Sequence, residues 1–396
     1  MRDLLGRYLE IWCEIDLDAF RRNIEKIIGL ANKREIILAI KANAYGHGLV
    51  HIAKEAERAG IRFFGVATTA EGRALREAGI RSEIIVLTPA SLEQIDEIVE
   101  YNLTPNVVTR LFAEALSAKG ERLGRPLKCH IEVDTGMGRT GFYYEDVMGE
   151  LMSILRLPYL NVQGIFSHFP VADSSKKEDI EFTYKQIERF KNMLKVLEKF
   201  GFSPPLFHIA NTAGILDYPE FGNAIRPGIL AYGLYPSPAT KHLIEVEPIL
   251  KLKAKIVQIQ DFPPEWSISY GRTYKTKERT KVAVIRAGYG DGLRRGLSNK
   301  GYVLIRGRRY PIIGTICMDM TMCDLGAGSD IKLDDDVVII GEDGGECITA
   351  DDHAEIVGTI NYEILTGISV RVPRLYFRQG KLVGQDGPNG TIIYSR

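Results

Sequence analysis

The sequence predicts an α/β protein in which an N-terminal (β/α)8 TIM-like barrel is followed by a C-terminal, mostly-β domain. Two observations support this fold class. Within roughly the first 240 residues, short apolar runs alternate with amphipathic helical patterns, and an alternation of about eight such pairs is typical of a parallel barrel. From about Tyr235 onward, short β-type runs separated by turns replace the alternation, which is typical of an all-β domain.

The apolar runs predict eight barrel strands, and helical patterns lie between them. The predicted strands are Ile36–Lys41, Phe63–Thr68, Ile84–Thr88, Pro105–Thr109, Lys128–Asp134, Val162–His168, Leu206–Ala210 and Ala224–Ala231. The predicted helices are Asp16–Gly29, Leu49–Ala59, Ala70–Ala78, Leu92–Glu100 and Glu178–Phe200. An open, doubly wound sheet is the rival arrangement, but no G-x-G-x-x-G follows the first strand, which favours the barrel.

A change in the sequence pattern, from alternating strands and helices to short β-type runs, predicts where the domains divide. The segment Tyr235–Thr240 (YPSPAT) is rich in proline and small residues, as domain boundaries are. We therefore expect residues 1–12 to form a strand that packs with the β-domain, residues 13–240 to form the barrel, and residues 241–396 to form the β-domain. In the last of these, Ala350–Glu363 is the only stretch with a helical pattern.

Composition excludes several classes of protein. Lys plus Arg and Asp plus Glu both number 51, so the charge gives no sign of a nucleic acid or membrane partner. The N-terminus lacks the pattern of a secretory signal, and no apolar run approaches membrane-spanning length. The five cysteines are scattered without a CxxC pair, which favours reduced thiols in a cytoplasm over disulfides or a zinc site.

Lys41 is the first candidate for chemistry. It closes the apolar run Ile36–Ile40 and is followed by small and polar residues, ANAYGHG. An ammonium group at a buried strand end is costly to desolvate, and desolvation lowers its pKa, which makes the amine a nucleophile toward carbonyls. The alternative is a lysine whose side chain extends from the strand end into solvent.

Other distinctive residues follow later strands, where a barrel carries its active site. Arg139 lies in the glycine-rich loop VDTGMGRTG; it is either a solvated turn residue or an anchor for a carboxylate or phenolate oxygen. His168 ends the sixth strand, where a structural role is the alternative. Asn211 and Thr212 lie in the loop after the seventh strand, and Arg226, Gly228 and Ile229 lie in the eighth strand, before the loop that follows it. Barrels commonly bind phosphate at these two loops, and Thr212, Gly228 and Ile229 offer a hydroxyl and backbone N–H groups.

The β-domain contributes two further candidates. Tyr270 precedes a glycine in WSISYGRTY, and Asp319 is the charged residue of GTICMDMTMCD. A tyrosine in a hairpin ordinarily packs on its neighbours, and the second run is also compatible with an ordinary buried strand.

The motifs taken together, in their order, resemble the alanine racemase family over nearly the whole chain. They are WCEIDLDAFRRNI, AIKANAYGHG, VDTGMGRTG, SHFPVAD, HIANTAG, RPGILAYG, SYGRTY, AGYGDG, CMDM and NYE…RVPR. The resemblance implies a barrel that binds pyridoxal 5′-phosphate (PLP) and a β-domain, assembled as a head-to-tail homodimer. Each active site would join the barrel of one subunit to the β-domain of the other.

The resemblance also implies a role for each matching residue. Lys41 would hold PLP and act as one base, and Tyr270 of the partner subunit would be the other base, hydrogen-bonded by His168. Tyr45, Asn211, Thr212, Gly228 and Ile229 would hold the cofactor, chiefly at its phosphate. Arg226 would face the pyridine nitrogen, and Arg139 the PLP oxygen and the substrate carboxylate. Met318 and Asp319 would border the substrate, and Tyr289 would line the entry.

Two residues depart from the family pattern. Glu132 stands where a lysine, often carbamylated, is common; its carboxylate would orient Arg139 without modification. Val370 stands where a tyrosine usually precedes RVPR, so the substrate pocket would be larger and would lack one hydroxyl.

The sequence therefore predicts a PLP-dependent racemase that interconverts L- and D-alanine, an isomerase that supplies D-alanine for peptidoglycan. A racemase of broader or different specificity, for serine or lysine, is the first alternative because of Val370. A PLP-dependent decarboxylase of basic amino acids is a second, although Arg226 stands where a glutamate is usual in those enzymes. A small non-enzymatic PLP-binding protein is a third, but it would lack the second domain.

Overall fold

The computed structural model describes residues 9–219, 221–241, 243–388 and 390–393. The chain divides into two compact units. Arg21–Ala44 and Ile52–Glu247 form the first, which we call the barrel unit. Tyr45–His51 and Pro248–Arg396, together with the N-terminal residues up to Phe20, form the second, which we call the β unit.

Eight parallel strands make the barrel, as predicted. In chain order they are Glu35–Ala39, Phe63–Val66, Glu83–Pro89, Thr104–Val107, Leu127–Asp134, Leu160–Phe166, Leu206–His208 and Ala224–Ile225. The last strand pairs with the first, Ala224 opposite Glu35. Backbone hydrogen bonds from Asn223 to Phe207 (3.1 Å) and from Arg226 to Ala210 (2.9 Å) link residues on either side of the eighth strand to the seventh strand and the residues after it, so the ring of strands is nearly closed.

Apolar side chains from several strands fill the barrel. Ile37, Ile85, Leu206 and Ala224, from the first, third, seventh and eighth strands, form one buried cluster. Their burial explains why the strands read as continuous apolar runs, since strands of a parallel sheet are covered on both faces.

Six of the predicted strands end earlier than expected, and in three of them, the first, sixth and eighth, the shorter end leaves a candidate residue outside the strand. The first ends at Ala39 because the chain turns left-handed after Lys41. The sixth ends at Phe166, two residues before His168. The eighth ends at Ile225, because Pro227 has no N–H to donate to a sheet and a single helical turn, Ile229–Tyr232, follows. Lys41, His168 and Arg226 therefore follow the strands rather than lie in them.

Helices alternate with the strands. They are Leu17–Ala31, Leu49–Arg58, Thr69–Glu77, Ile95–Glu100, Arg110–Leu123, Val147–Ile154, Lys177–Lys199 and Thr212–Asp217. Hydroxyl caps begin two of them: Thr68 accepts a hydrogen bond from the backbone of Glu71, and Thr109 accepts one from Phe112. Such caps satisfy N–H groups that have no partner within the helix.

The β unit is built on an 11-stranded sheet and one separate hairpin. Its strands are Ile11–Asp16, Leu250–Phe262, Ser267–Ile268, Tyr274–Lys275, Thr280–Ile285, Tyr302–Ile305, Arg308–Pro311, Thr321–Gly326, Asp336–Asp343, Glu346–Ile348, Arg374–Arg378, Lys381–Gly387 and Gly390–Ile393. Ser267–Ile268 and Tyr274–Lys275 form the hairpin. Ile11–Asp16 lies between Leu250–Phe262, antiparallel, and Arg374–Arg378, parallel.

The unit boundaries differ from the expected domain limits. The N-terminal strand runs to Asp16 rather than residue 12, and residues 1–8 of that expectation lie outside the described part of the chain. The second boundary falls at Pro248 rather than residue 241. The expected single helix over Ala350–Glu363 is two helices, Ala350–Val357 and Asn361–Thr366, because Gly358 (φ 75°) ends the first one.

The segment Tyr45–His51 groups with the β unit because side chains of that unit bind its backbone. Arg374 donates to the carbonyl of Gly46 (3.0 Å), and Tyr376 donates to that of His47 (3.1 Å). Gly48 has a φ of 101°, and a Cβ atom placed there would overlap the hydroxyl of Tyr376. Only glycine fits at this position without displacing that fully buried ring.

We predict that Gly48→Ala lowers the free energy of unfolding by about 3 kcal/mol or more, through this overlap as well as through backbone strain. Gly345→Ala is the matched control in the same unit. Its φ is 94°, but no atom lies within 4 Å of a Cβ atom placed at that position, so we expect a loss of only about 1 kcal/mol. Thermal denaturation of both variants checks this, and equal losses would contradict the packing argument.

Candidate active site

Lys41 begins a left-handed turn directly after the first barrel strand. The four residues after it, 42–45, have φ angles of 54°, 55°, 52° and 53°. None of them is glycine, and this conformation costs about 1–2 kcal/mol per residue. The N–H of Ala44 donates to the carbonyl of Ile40 (2.8 Å), and that of Asn43 donates to the carboxylate of Glu71 (3.3 Å). The turn is therefore a strained feature that contacts from the barrel hold in place.

The electrostatic surroundings of Lys41 favour a neutral amine. Burial lowers its pKa, and the positive charges of Arg139 and Arg226 lower it further, while the Glu71 carboxylate acts in the opposite direction. A lowered pKa makes the neutral form of the amine, which attacks carbonyls and accepts protons, easier to reach than in an exposed lysine.

Arg226 is buried at the centre of this site. Its guanidinium donates to the carbonyls of Ser167 (2.6 Å) and His208 (3.1 Å), to Nδ1 of His168 (3.1 Å) and to Nδ1 of His208. Burial lowers its pKa to about 10, an effect that Glu132 opposes and Arg139 reinforces. The guanidinium therefore stays a cation at neutral pH.

These contacts settle which imidazole nitrogens carry protons. A guanidinium only donates hydrogen bonds, so Nδ1 of His168 and of His208 must accept, and each ring carries its proton on Nε2. Nε2 of His208 lies 3.1 Å from Nδ1 of His130 and donates to it. Burial, and then the charge of Arg226, lowers the pKa of all three histidines, to about 3 for His130. All three are neutral at physiological pH.

Asp134 shapes the loop that carries Arg139. Its carboxylate accepts hydrogen bonds from the backbone N–H groups of Gly136 (2.8 Å), Met137 (2.7 Å) and Gly138 (2.8 Å). These three contacts fold the loop into a tight turn and leave the side chain of Arg139 49% exposed.

Glu132 provides the negative charge beside Arg139. Its Oε1 lies 3.9 Å from a guanidinium nitrogen, and its Oε2 accepts hydrogen bonds from Asn106 (2.7 Å) and Thr140 (2.9 Å). The carboxylate is buried. A buried ion needs such partners to offset its desolvation, and these contacts hold the carboxylate in place beside Arg139.

The loops after the seventh and eighth strands meet at Thr212 and Gly228. The N–H of Gly228 donates to the hydroxyl of Thr212 (3.1 Å), and Ile229 begins the next helical turn. N–H groups at the first turn of a helix have no partner within it and can bind an anion. Asn211 caps the helix that Thr212 begins: its side-chain oxygen accepts from the N–H of Gly214 (3.0 Å).

The β unit brings the remaining predicted residues together on a surface of its own. Tyr270 is 72% exposed, and Met318 is 54% exposed. Backbone hydrogen bonds from Tyr289 to Cys317 (3.0 Å) and from Gly290 to Met318 (2.8 Å) join the loop that contains Tyr289 to the loop that contains Met318. Arg371 donates to Asp291 (2.8 Å) and to Asp319 (2.7 Å), which brings the adjacent Val370, 77% exposed, to the same surface.

Tyr45 belongs to the β unit, although it is the last residue of the left-handed turn. Burial raises the pKa of its hydroxyl to about 12. The hydroxyl is therefore a neutral hydrogen-bond donor at physiological pH.

Sequence reasoning missed three residues that the structure brings to the barrel site: Glu71, His130 and His208. His208 ends the observed seventh strand, but the predicted strand Leu206–Ala210 placed it in the interior, where the strand-end rule does not apply. The sequence around His130 and Glu71 carries no comparable signal. The part of the chain that the structure describes contains no cluster of three or more side chains suited to bind a metal, and none of its helices is long and apolar enough to cross a membrane.

The fold and the site define a class: a barrel protein that carries a lysine of lowered pKa, two arginines and a pair of adjoining loops at the carboxyl ends of its strands. A family model described as alanine racemase, N-terminal domain, matches residues 15–236, and one described as alanine racemase, C-terminal domain, matches residues 249–376. The chain belongs to the alanine racemase family, isomerases that act on alanine.

Individual relatives match over nearly the whole chain. The alanine racemase of Carboxydothermus hydrogenoformans is 42% identical over 92% of this chain and 99% of its own length. That of Methanococcus maripaludis is 40% identical over 92% and 98%. The solved alanine racemase of Clostridium difficile 630 has a TM-score of 0.90 at 36% identity, covering 96% of this chain and 98% of its own. That of Bacillus anthracis, with bound L-Ala-P, has a TM-score of 0.89 at 36% identity and the same coverage.

We predict that stability falls as the pH is lowered from about 6.5 toward 3. The unfolded chain binds protons at its histidines below about pH 6.5, whereas the buried rings stay neutral, so each contributes a loss of up to about 1.4 kcal/mol per pH unit. Urea denaturation of the wild type at several pH values checks the slope. His130→Gln keeps an acceptor for His208. In this variant the slope of the unfolding free energy against pH, between about pH 6.5 and 5, should decrease by the contribution of one bound proton. An unchanged slope would contradict the buried neutral state.

Proposed function

We propose that this chain racemises alanine with PLP held covalently by Lys41. The observation that supports this most strongly is the amine itself, whose pKa is lowered by burial and by two arginines at the mouth of the barrel. The remaining groups of the site fit the parts of PLP.

The fit to PLP rests on the chemistry of the donors. The hydroxyl of Thr212 and the N–H groups of Gly228 and Ile229 suit its phosphate, and the hydroxyl of Tyr45, kept protonated, is a further donor to that phosphate. Arg226 would face the ring nitrogen and Arg139 the phenolate oxygen. When bound, PLP supplies an electron-withdrawing ring that stabilises the negative charge left on the α-carbon after its proton is removed.

Arg226 limits that stabilisation. As a cation that only donates hydrogen bonds, Arg226 would keep a ring nitrogen facing it unprotonated. We infer that the arginine would thereby weaken the electron withdrawal that PLP supplies and suppress side reactions such as transamination.

Racemisation needs a base on each face of the α-carbon, because the proton leaves one face and returns to the other. Nζ of Lys41 serves one face, where its lowered pKa makes it able to accept a proton. The hydroxyl oxygen of Tyr270 serves the other. His168 carries its proton on Nε2, so it can donate to that oxygen and stabilise the deprotonated tyrosine.

We infer that Tyr270 reaches the site from a second copy of the chain in a head-to-tail homodimer. Tyr270, Tyr289, Met318 and Val370 are 72%, 44%, 54% and 77% exposed. Exposed apolar side chains gathered on one surface mark a site of interaction with another molecule. A second copy that covers them with its barrel mouth would place Tyr289 at the entry and Met318 and Asp319 beside the substrate.

Arg139 would bind the substrate carboxylate, with Glu132 in place of a modified lysine. Since the Glu132 carboxylate is permanent, the orientation of Arg139 would need no covalent modification. The product D-alanine would serve peptidoglycan synthesis. The five cysteines are free, which suits a reducing cytoplasm.

Val370 favours a second candidate, a racemase that also accepts larger amino acids such as serine or lysine. Its side chain is 77% exposed beside Asp319 and Arg371. A tyrosine at this position would fill more of that space, so the valine widens the pocket on the substrate side.

Mixing two inactive variants tests the shared site. Lys41→Ala and Tyr270→Phe should each lose nearly all racemase activity. After denaturation and refolding together in equal amounts with PLP, half of the dimers contain one of each, and each mixed dimer has one intact site. We therefore expect recovery of about a quarter of the wild-type activity.

The first control applies the same procedure to Lys41→Ala alone. The second mixes a Lys41→Ala/Tyr270→Phe double variant with wild type. If the sites are shared, each mixed dimer of this second control has one site that lacks Lys41 and one site that lacks Tyr270. No recovery from the two single variants, despite mixed dimers detected by mass, would mean that Lys41 and Tyr270 of different subunits do not share a site.

A further inference from the structure

Glu71 lies next to the segment that carries Lys41, yet neither the sequence motifs nor the proposed mechanism uses it. It is in the first turn of the helix Thr69–Glu77, which follows the second barrel strand. Its backbone N–H donates to the hydroxyl of Thr68 (3.2 Å), and its side chain accepts in return from the backbone of Thr68 (3.3 Å). So far this is an ordinary capping box.

The carboxylate does more than cap the helix. Its Oε2 also accepts from the N–H of Ala67 (2.8 Å), and its Oε1 accepts from the N–H of Asn43 (3.3 Å). Ala67 follows the second strand, and Asn43 is the second residue of the left-handed turn after Lys41. One carboxylate thus joins the ends of two neighbouring strands and holds the turn that sets the position of Lys41.

Glu71 also contributes charge. The groups that act electrostatically on Lys41 are Arg139 and Arg226, both cations, and Glu71, the one anion among them. His168 faces the same region as a neutral ring. Removing the negative charge would leave the amine between two cations with nothing to oppose them.

We propose that Glu71 is a positioning residue for Lys41, whose carboxylate fixes the left-handed turn and supplies the counter-charge of the amine. This rests on the proposed function, in which Lys41 holds PLP. The proposal depends on two properties of the Glu71 side chain, its length and its charge, and two conservative variants separate them. Glu71→Asp keeps the charge and shortens the reach, whereas Glu71→Gln keeps the length and removes the charge.

The measurement is the rate of PLP binding to the full-length protein freed of PLP, followed by the absorbance of the bound cofactor across a range of pH. Only the neutral amine attacks a carbonyl, so the rate of PLP binding rises with pH and levels off once Lys41 is deprotonated. The pH at the midpoint of this rise reports the pKa of Lys41, and the rate on the plateau reports how well the amine is positioned. For Glu71→Gln we expect the midpoint to move down by about half a pH unit. For Glu71→Asp we expect an unmoved midpoint and a plateau lowered about tenfold.

Thr68→Ala is the matched control. It removes the hydroxyl of the capping box but leaves the Glu71 carboxylate, so its thermal stability should fall while both midpoint and plateau stay as in the wild type. Profiles for Glu71→Gln and Glu71→Asp that both match the wild type would overturn the proposal. A wild type that binds no PLP at Lys41 would overturn the proposed function itself, which distinguishes the two failures.

Discussion

The buried guanidinium of Arg226 reinforces the charge state that burial gives to the groups around it. It donates to three carbonyls and to two imidazoles, and its charge adds to burial in lowering the pKa of Lys41, His130, His168 and His208. A cation in this position keeps the histidines neutral and the amine nucleophilic. A carboxylate there would do the opposite, favouring protonated histidines and a protonated lysine.

The barrel places these groups together because each follows a strand end. The carboxyl ends of parallel strands lie at one edge of the sheet, so Lys41, His168, His208 and Arg226 converge although 185 residues separate the first from the last in the sequence, as their numbers show. The strain of the left-handed turn after Lys41 is tolerated because the surrounding barrel contacts, including the carboxylate of Glu71, hold it. Such strain is commonly found where a side chain must point in one direction for function.

Much of this architecture could be predicted from the sequence, because the barrel depends on a local signal. Apolar runs and helical patterns alternate at short range, and they predict the eight strands at nearly their observed positions. The strand ends were less accurate: the left-handed conformation of residues 42–45 has no sequence signature, since none is glycine. The sequence also does not predict that Tyr45–His51 groups with the β unit, because Arg374, which binds the Gly46 carbonyl, lies 328 residues away along the chain. Glu71 and His130 act through contacts of the same long-range kind.

If this site moves the α-proton of alanine from one face to the other, isotope exchange tests that claim most directly. The PLP-loaded protein would be incubated in D2O with a panel of L-amino acids, and the products separated by chiral chromatography and analysed by mass spectrometry. We expect D-alanine to form fastest and to carry deuterium at the α-carbon, taken from solvent by the second base. Faster turnover of serine or lysine would contradict alanine as the substrate, and no D-amino acid from any member of the panel would contradict racemisation altogether.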